Sequence, residues 1–288
     1  MKIYLLPVAE RLMPPAQPFC YPAHNKDYGI EQDFLKFLKD NPSLLASNPD
    51  SADWHYLPVF WTRWHLNHDY ARSGLEDLQR EVDRVILRDE KTVTVCQYDD
   101  GPIVNLGNAV QFLASRRGNS GFDIPLLSAL HRLPFFAPGK TCRASFVGRL
   151  STHPIRQLMA DALRHRDDVV LIDGDRGPRF FVRQCLSSDL VLAPRGYGGS
   201  SFRFFEAMQF GVPPILLGDF DTRPFKGLID WDSCSFYLSD TANLPGLLDQ
   251  VTCQSLALMG QQCSRIYREK LAFSKWGELV IREMQSLR

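Results

Sequence analysis

LAPRGYGGSSFRFFEAMQFGVPPILLGD, residues Leu192 to Asp219, reads as strand, glycine-rich loop, helix and strand in turn. Leu190–Ala193 and Pro214–Leu217 are short apolar runs of strand length, and Phe202–Phe210 is a helix ended by Gly211. Gly196, Gly198 and Gly199 let the backbone turn tightly and approach a ligand closely. Ser200 and Ser201 open the helix, where exposed amides and the helix dipole form an anion site. Arg195 and Arg203 add planar cations suited to phosphate oxygens. Glu206 lies three residues beyond Arg203, on nearly the same helix face, where a carboxylate can accept two ribose hydroxyls. The competing reading is an ordinary N-cap and a surface Arg–Glu pair. Neither a GxGxxG nor a Walker A sequence is present.

Working outward, Ala144–Val147 and Val169–Ile172 read as strands, and Pro154–Leu163 and Phe180–Leu186 as helices. The resulting alternation of strand and helix predicts a parallel α/β sheet. The first half is less regular. It offers strands at Ile3–Val8, Ala52–Phe60 and Thr92–Cys96, and amphipathic helices at Tyr28–Leu38 and Ser73–Leu87, the first capped by Asp27. We expect two α/β lobes, 1–139 and 140–288, the second with C-terminal helices.

The 288 residues carry 33 basic and 33 acidic side chains, interspersed, which argues against a nucleic-acid partner. No stretch approaches the length of a membrane span, and peripheral association with a membrane is left open. The run Ile3–Val8 is short for a signal core and reads as a buried strand. Seven widely spaced cysteines without a CxxC read as reduced thiols in a cytoplasmic protein.

The segment resembles the C-terminal signature of the exostosin-like glycosyltransferases in Pro194–Arg195–Gly196, Ser201, Arg203–Phe204, Glu206–Ala207, Gly211 and Pro214. The likeness continues in Phe146–Arg149, Pro224–Phe225 and Ile229–Trp231, and more weakly in Tyr28–Glu31, Ala52–Asp53, Leu57–Pro58 and Gly121–Ile124. It implies a GT-B fold of two Rossmann-like lobes, 1–139 on the acceptor side and 140–288 binding the nucleotide-sugar, with the donor cleft between them. It also implies inverting transfer from a nucleotide-sugar to a glycan, lipid-linked or protein acceptor, with no metal or other cofactor. Carried over by position, Arg149, Arg195, Gly196, Ser200, Ser201 and Arg203 would meet the diphosphate, and Glu206 the ribose. Asp173–Gly174–Asp175 has the letters of a metal-binding DxD but reads as a turn.

Inverting transfer needs a base for the acceptor proton. Asp100 ranks first, with Asp99 beside it, since both follow the strand Thr92–Cys96. His24, in the loop after the first strand, is the runner-up, and Glu31 reads as either a base or a helix N-terminal charge. Here the family's acidic-His-Phe landmark is replaced by Tyr98–Asp99–Asp100–Gly101–Pro102. Trp61 and Trp64 read as core or as an acceptor groove, and His65 with His68 as core or, less readily, metal ligands. A catalytically inactive sugar- or nucleotide-binding protein, or another two-lobed enzyme acting on nucleotide-sugars such as a phosphorylase or epimerase, are the alternatives.

Overall fold

The computed structural model describes residues 1–16, 25 and 29–287. His24, the Asp27 cap and Cys20 lie outside the described residues. In chain order the strands are β1 Ile3–Leu5, β2 Trp54–Tyr56, β3 Thr92–Cys96, β4 Val110–Leu113, β5 Phe122–Asp123, β6 Cys142–Gly148, β7 Val169–Asp173, β8 Ser188–Pro194, β9 Pro214–Leu217 and β10 Phe236–Leu238. The helices are α1 Ile30–Asp40, α2 Trp61–Asn67, α3 Leu75–Val85, α4 Pro154–Leu163, α5 Pro178–Leu186, α6 Phe202–Gln209, α7 Leu244–Gln250, α8 Cys253–Ile266 and α9 Gly277–Ser286.

These elements form two α/β units, each built on a five-stranded parallel sheet. The first unit holds the described residues up to Pro125 together with the segment from Phe273 onward, and the second runs Leu126–Ala272. The division therefore falls short of the expected 139/140 boundary, and α9 belongs to the first unit. The residues that lead into it explain why. Trp276 stacks on Phe34 of α1 at 5.5 Å, and its Nε1 donates to Asp33 at 2.8 Å, as does the Ser274 amide.

In the first unit the sheet runs β1-β2-β3-β4-β5, all parallel. Its core gathers Leu6, Leu57, Trp61, Trp64, Leu78, Val82 and Leu113. Both tryptophans of the aromatic segment are thus core residues, and Trp61 Nε1 donates to Thr94 Oγ1 at 2.9 Å. The expected strand Ala52–Phe60 is only Trp54–Tyr56, because Trp61 begins a helix that buries its apolar face.

In the second unit the sheet runs β10-β9-β8-β6-β7, again all parallel. Ala144, Phe146, Leu190 and Leu192 pack with Met159 and Leu163 of α4 and with Leu244 and Leu248 of α7. Val147 and Val191, one residue out of phase, pack with Val182 of α5 and Ala207 of α6. Side chains alternate across a strand, so covering both faces requires the unbroken apolar runs seen in the sequence. Each large side chain so buried contributes roughly 1.5–3 kcal/mol.

Gly211 ends α6 at φ +69°, the left-handed region that closes helices. The Val212 amide then returns to the Ala207 carbonyl at 3.0 Å. Helix α8 packs there so closely that a Cβ at Gly260 would lie 2.3 Å from the Gly211 carbonyl oxygen.

Candidate functional site

Within the second unit the chain starts at β6, moves out to β7, then returns to pair β8 on the other side of β6. Numbered within the unit, the strand order is the doubly wound 2-1-3-4-5, whose first and third strands flank a ligand-binding crevice at their carboxyl ends. Those ends carry Gly148–Arg149 after β6 and Arg195–Ser201 after β8.

A single buried side chain ties the two loops together. Arg156, in the first turn of α4, donates to the Arg149 carbonyl at 2.9 Å, the Arg195 carbonyl at 2.9 Å and the Pro194 carbonyl at 3.4 Å. Its guanidinium lies 5.6 Å from the Phe146 ring centre. A cation buried this deeply is tolerated because its N–H groups find carbonyls. Sequence reading passed over Arg156, since its spacing on α4 is that of any helical residue.

Arg195 is also buried, and its guanidinium shapes its own loop. It donates to the Gly198 carbonyl at 3.1 Å and the Tyr197 carbonyl at 3.3 Å, and pairs with Asp219. Its role is thus to hold the loop, more than to offer an open fork. The Ser200 carbonyl accepts from Gly196, and Thr222 Oγ1 donates to the Gly199 carbonyl at 3.1 Å. Gly196 is outside the left-handed region. A Cβ there would make only ordinary contact, 3.6 Å from an Arg156 nitrogen, and neither Gly198 nor Gly199 is left-handed either, so the tight turn expected of these glycines does not require them.

Ser201, not Ser200, is the N-cap of α6. Its buried Oγ makes no capping bond and has no hydrogen-bond partner among the described residues, so a donor and acceptor sits ready at the helix N-terminus. Arg203 follows as the second residue of the helix. Its Nε donates to the Val147 carbonyl at 3.1 Å, and its guanidinium lies 5.6 Å from the Phe181 ring centre. Arg149 is exposed at the end of β6. His153 caps α4 beside this cluster, and burial together with the Arg195 and Arg156 cations pushes its pKa down, against a weaker pull from Asp219.

Glu206 is 3% exposed, which excludes the surface Arg–Glu pair. Its Oε1 accepts from His131 Nε2 at 2.9 Å and Ser128 Oγ at 3.2 Å. The carboxylate also raises the pKa of Tyr267, which burial and this charge push up to about 12. His131 and Ser128 lie in an irregular segment before β6, where neither periodicity nor spacing marks them. Asp173 closes β7 and accepts the Leu150 amide at 2.8 Å, and Asp175 accepts the Gly177 amide at 2.7 Å, as a turn requires.

In the first unit Asp99 and Asp100 form a turn after β3, at the sheet's carboxyl edge. Asp100 pairs with Arg117. Deeper at the same edge lies a polar cluster that the sequence hid. Glu31 is fully buried, and its Oε1 accepts from Thr62 N at 3.2 Å, Thr62 Oγ1 at 2.8 Å and Gln97 N at 3.0 Å. Among the described residues its Oε2 has no hydrogen-bond partner, nor have Gln97 Nε2 or Tyr56 Oη, while the buried His65 ring lies near the Gly101 and Pro102 backbone. Burial raises the Glu31 pKa despite those bonds, and burial lowers that of His65 to about 4.

A family model for the exostosin GT47 domain matches residues 67–246. Among curated relatives, an exostosin-1 homolog of Caenorhabditis elegans is 28% identical over 106 residues, 36% of this chain and 28% of that protein. Exostosin-1 of Drosophila melanogaster is 30% identical over 34% of this chain and 14% of its own length. A probable glucuronosyltransferase 47 A of Physcomitrium patens is 19% identical over 78% of this chain and 59% of its own length. The matched stretches thus span between about a seventh and three-fifths of these relatives. Among solved structures, Anabaena Alr3699/HepE in complex with UDP-glucose is 13% identical, covering 99% of this chain and all of that one, with a TM-score of 0.45. A glycosyltransferase involved in avilamycin A biosynthesis is 14% identical over 99% of this chain and 98% of that one, with a TM-score of 0.39. The family match covers well over half of the residues and takes in the β6 and β8 loops, so the chain belongs to the exostosin GT47 domain family.

Proposed function

We propose that this protein transfers a sugar from a nucleotide-sugar to a hydroxyl acceptor, with inversion at the anomeric carbon and without a metal. The observation that carries the reading is the convergence at the β6/β8 reversal. The α6 N-terminus with its unpartnered Ser201 hydroxyl, Arg203 and the loops tied by Arg156 all meet there, in a chain of this family. In transfer the acceptor oxygen bonds to the anomeric carbon, the bond to the diphosphate breaks, and negative charge grows on the leaving oxygen. Fixed amides and cations stabilise that charge most where water is scarce. Arg149, Arg203, Ser200 and Ser201 take this task, while Arg195 and Gly196 set the loop against the phosphates. Glu206 receives the ribose hydroxyls. Asp100 accepts the acceptor proton, with Asp99 and His24 as alternates. Donor, acceptor and the cytoplasmic location belong to the same proposal.

The test is incubation with a panel of nucleotide-sugars, measuring released nucleoside diphosphate with and without glycan, lipid-linked and peptide acceptors, in EDTA and in manganese. Release that depends on acceptor and persists in EDTA is the expected result. Release abolished by EDTA and restored by manganese would remove the metal-free part. A nucleoside diphosphate at 100 times its Kd adds about 2.7 kcal/mol of stability, so the complete lack of a thermal shift would sink the reading.

A further inference from the structure

We infer that the apolar loop before β6 docks this protein on an anionic membrane surface, with Phe135 and Phe136 at the headgroup level and arginines beside them. Single exposed apolar side chains are ordinary on a protein surface, whereas a cluster of them marks a contact. Phe135 is 94% exposed and Phe136 80%, and Leu130 and Leu133 are exposed just before them. The run Leu133–Pro138 reads LPFFAP and has no polar side chain. The two phenylalanine rings meet edge-on with centres 4.7 Å apart, so they form one apolar tip.

The tip is carried on fixed ends. On one side the His131 ring lies between Phe181, 5.4 Å away, and Phe210, 5.3 Å away. The side-chain amide of Gln209, in α6, accepts the His131 N–H at 3.5 Å and donates to its carbonyl at 3.4 Å. On the other side the Thr141 amide donates to the Ser187 carbonyl at 2.8 Å, and Lys140 Nζ to the Ser188 carbonyl at 2.5 Å. A loop held at both ends has less freedom to lose on docking.

The chemistry of the loop selects a bilayer over other occupants. Residues 126–140 form no helix or strand, so they offer a second chain neither a sheet edge nor a helix face. A glycan needs hydrogen-bonding side chains beside an aromatic ring, and the tip has none. Pro134 and Pro138 remove two backbone N–H groups that would otherwise need partners at the acyl boundary. Charge points the same way. No Asp or Glu occurs between Asp123 and Asp161. Arg132, within the loop, is exposed. Helix α5, whose Phe181 rests on the His131 ring, carries the exposed Arg179 and Arg183 and no acidic residue. An apolar tip with basic neighbours is drawn to anionic headgroups by area and by charge together.

The experiment is co-sedimentation of the chain with sucrose-loaded vesicles, of phosphatidylcholine alone and of phosphatidylcholine mixed equally with phosphatidylglycerol. Wild type is expected on the mixed vesicles, less on the neutral ones, and less as salt rises. The double variant Phe135→Ser/Phe136→Ser should lower binding to the mixed vesicles by about tenfold or more. Its melting temperature should be unchanged, because both rings are exposed. Should it lose stability, Phe135→Ser alone is read instead. Leu87→Ser, which removes an exposed leucine of the first unit, should bind as wild type does. Arg132→Gln should weaken binding to the mixed vesicles about five-fold and to the neutral ones hardly at all. Wild type that binds neither vesicle overturns the inference. A double variant that stays bound overturns it, as does Leu87→Ser losing as much as the double variant. A dimer seen by sedimentation velocity and dissolved by the double variant, without vesicle binding, would assign the tip to a second copy and overturn it too. Nucleoside diphosphate release in solution enters none of these outcomes, so failure of the docking and failure of the proposed reaction are read separately.

Discussion

The two sheets have five parallel strands each, yet the first runs β1 to β5 in chain order while the second reverses after β7. Reversal sends successive right-handed crossovers to opposite faces, and the packing bears the mark of it: α4 covers the Phe146 face and α5 the Val147 face. The loops leaving β6 and β8 diverge, and polar groups line the gap. Their cations are tied to carbonyls, so the loop shape is fixed before any ligand arrives. A sheet in simple chain order has no such gap. At its carboxyl edge the polar groups sink inward instead, as Glu31, Tyr56, Gln97 and His65, with several atoms unmet. The second unit buries its charges against carbonyls and partner side chains, while the first buries polar groups of which several find no partner among the described residues.

The sharpest way to break this comparison is to remove charge from each. Arg203→Ala should lower the turnover rate by about 10²–10³-fold, because its cation would meet charge that grows as the leaving group departs. Glu206→Ala should mainly raise the donor KM, since ribose contacts hardly change during reaction. Steady-state kinetics on both variants separates the effects, and two variants with wild-type kinetics would erase the assigned site. Next in size is Arg156→Met. It leaves the Arg149, Arg195 and Pro194 carbonyls without their donor, at a cost of about 1–3 kcal/mol in stability. Donor KM should rise with it as the two loops loosen. A stable Arg156→Met variant with unchanged donor KM would show that the loops hold their shape without it.

How much of this could be read beforehand divides along the same line. In the second unit α4 and β9 fall on the expected residues, and β6, β7, α5, β8 and α6 within two or three, because strands covered on both faces leave unbroken apolar runs. The first unit yielded β3 but not β4 or the two-residue β5, and overran β2. Strands this short have too few residues to show a period. The donor-side cluster was legible as a motif, but not its wiring. Ser128, His131 and, toward the β8 loop, Arg156 act through contacts 38 to 78 residues away in sequence, which no local pattern encodes. Glu31 read as either a base or a helix N-terminal charge, and only folding shows it buried under donors from α2 and from Gln97, the residue after β3.

Burial gives the first unit two titrations of opposite sign. The unfolded Glu31 ionises near 4.5 while the folded one resists, so its contribution to stability falls as pH rises from 4.5 to the raised folded value. For His65 the folded pKa is lowered from 6.5 to about 4, so its contribution is lost as pH falls from 6.5 toward 4. Each slope is at most about 1.4 kcal/mol per pH unit, and in the wild type they oppose one another. Glu31→Gln should therefore lose stability on acidification from pH 6.5 to 4.5 more steeply than wild type. His65→Gln should lose less, or gain. Urea midpoints across that range test the signs, and parallel profiles for all three proteins would remove the buried-charge account of this unit.

The smallest expected effect sharpens the picture of the second unit. Asp219 pairs with Arg195, but its side chain is 56% exposed, and Arg195 keeps the Gly198 and Tyr197 carbonyls without it. Exposed ion pairs contribute about 0–1 kcal/mol, so Asp219→Asn should shift the melting temperature by little. Its effect on binding has the opposite sign to that of a lost contact. The Asp219 carboxylate stands beside the guanidinium of the loop proposed to meet the diphosphate, where it opposes an incoming anion. Neutralising it should tighten nucleoside diphosphate binding by a few-fold, and more at low ionic strength, where charges at this range are less screened. Calorimetry at two salt concentrations reads the change. Weaker binding instead would mean that Asp219 holds Arg195 in the only posture that serves the loop, and that the pair is as much a part of the fixed wiring as Arg156.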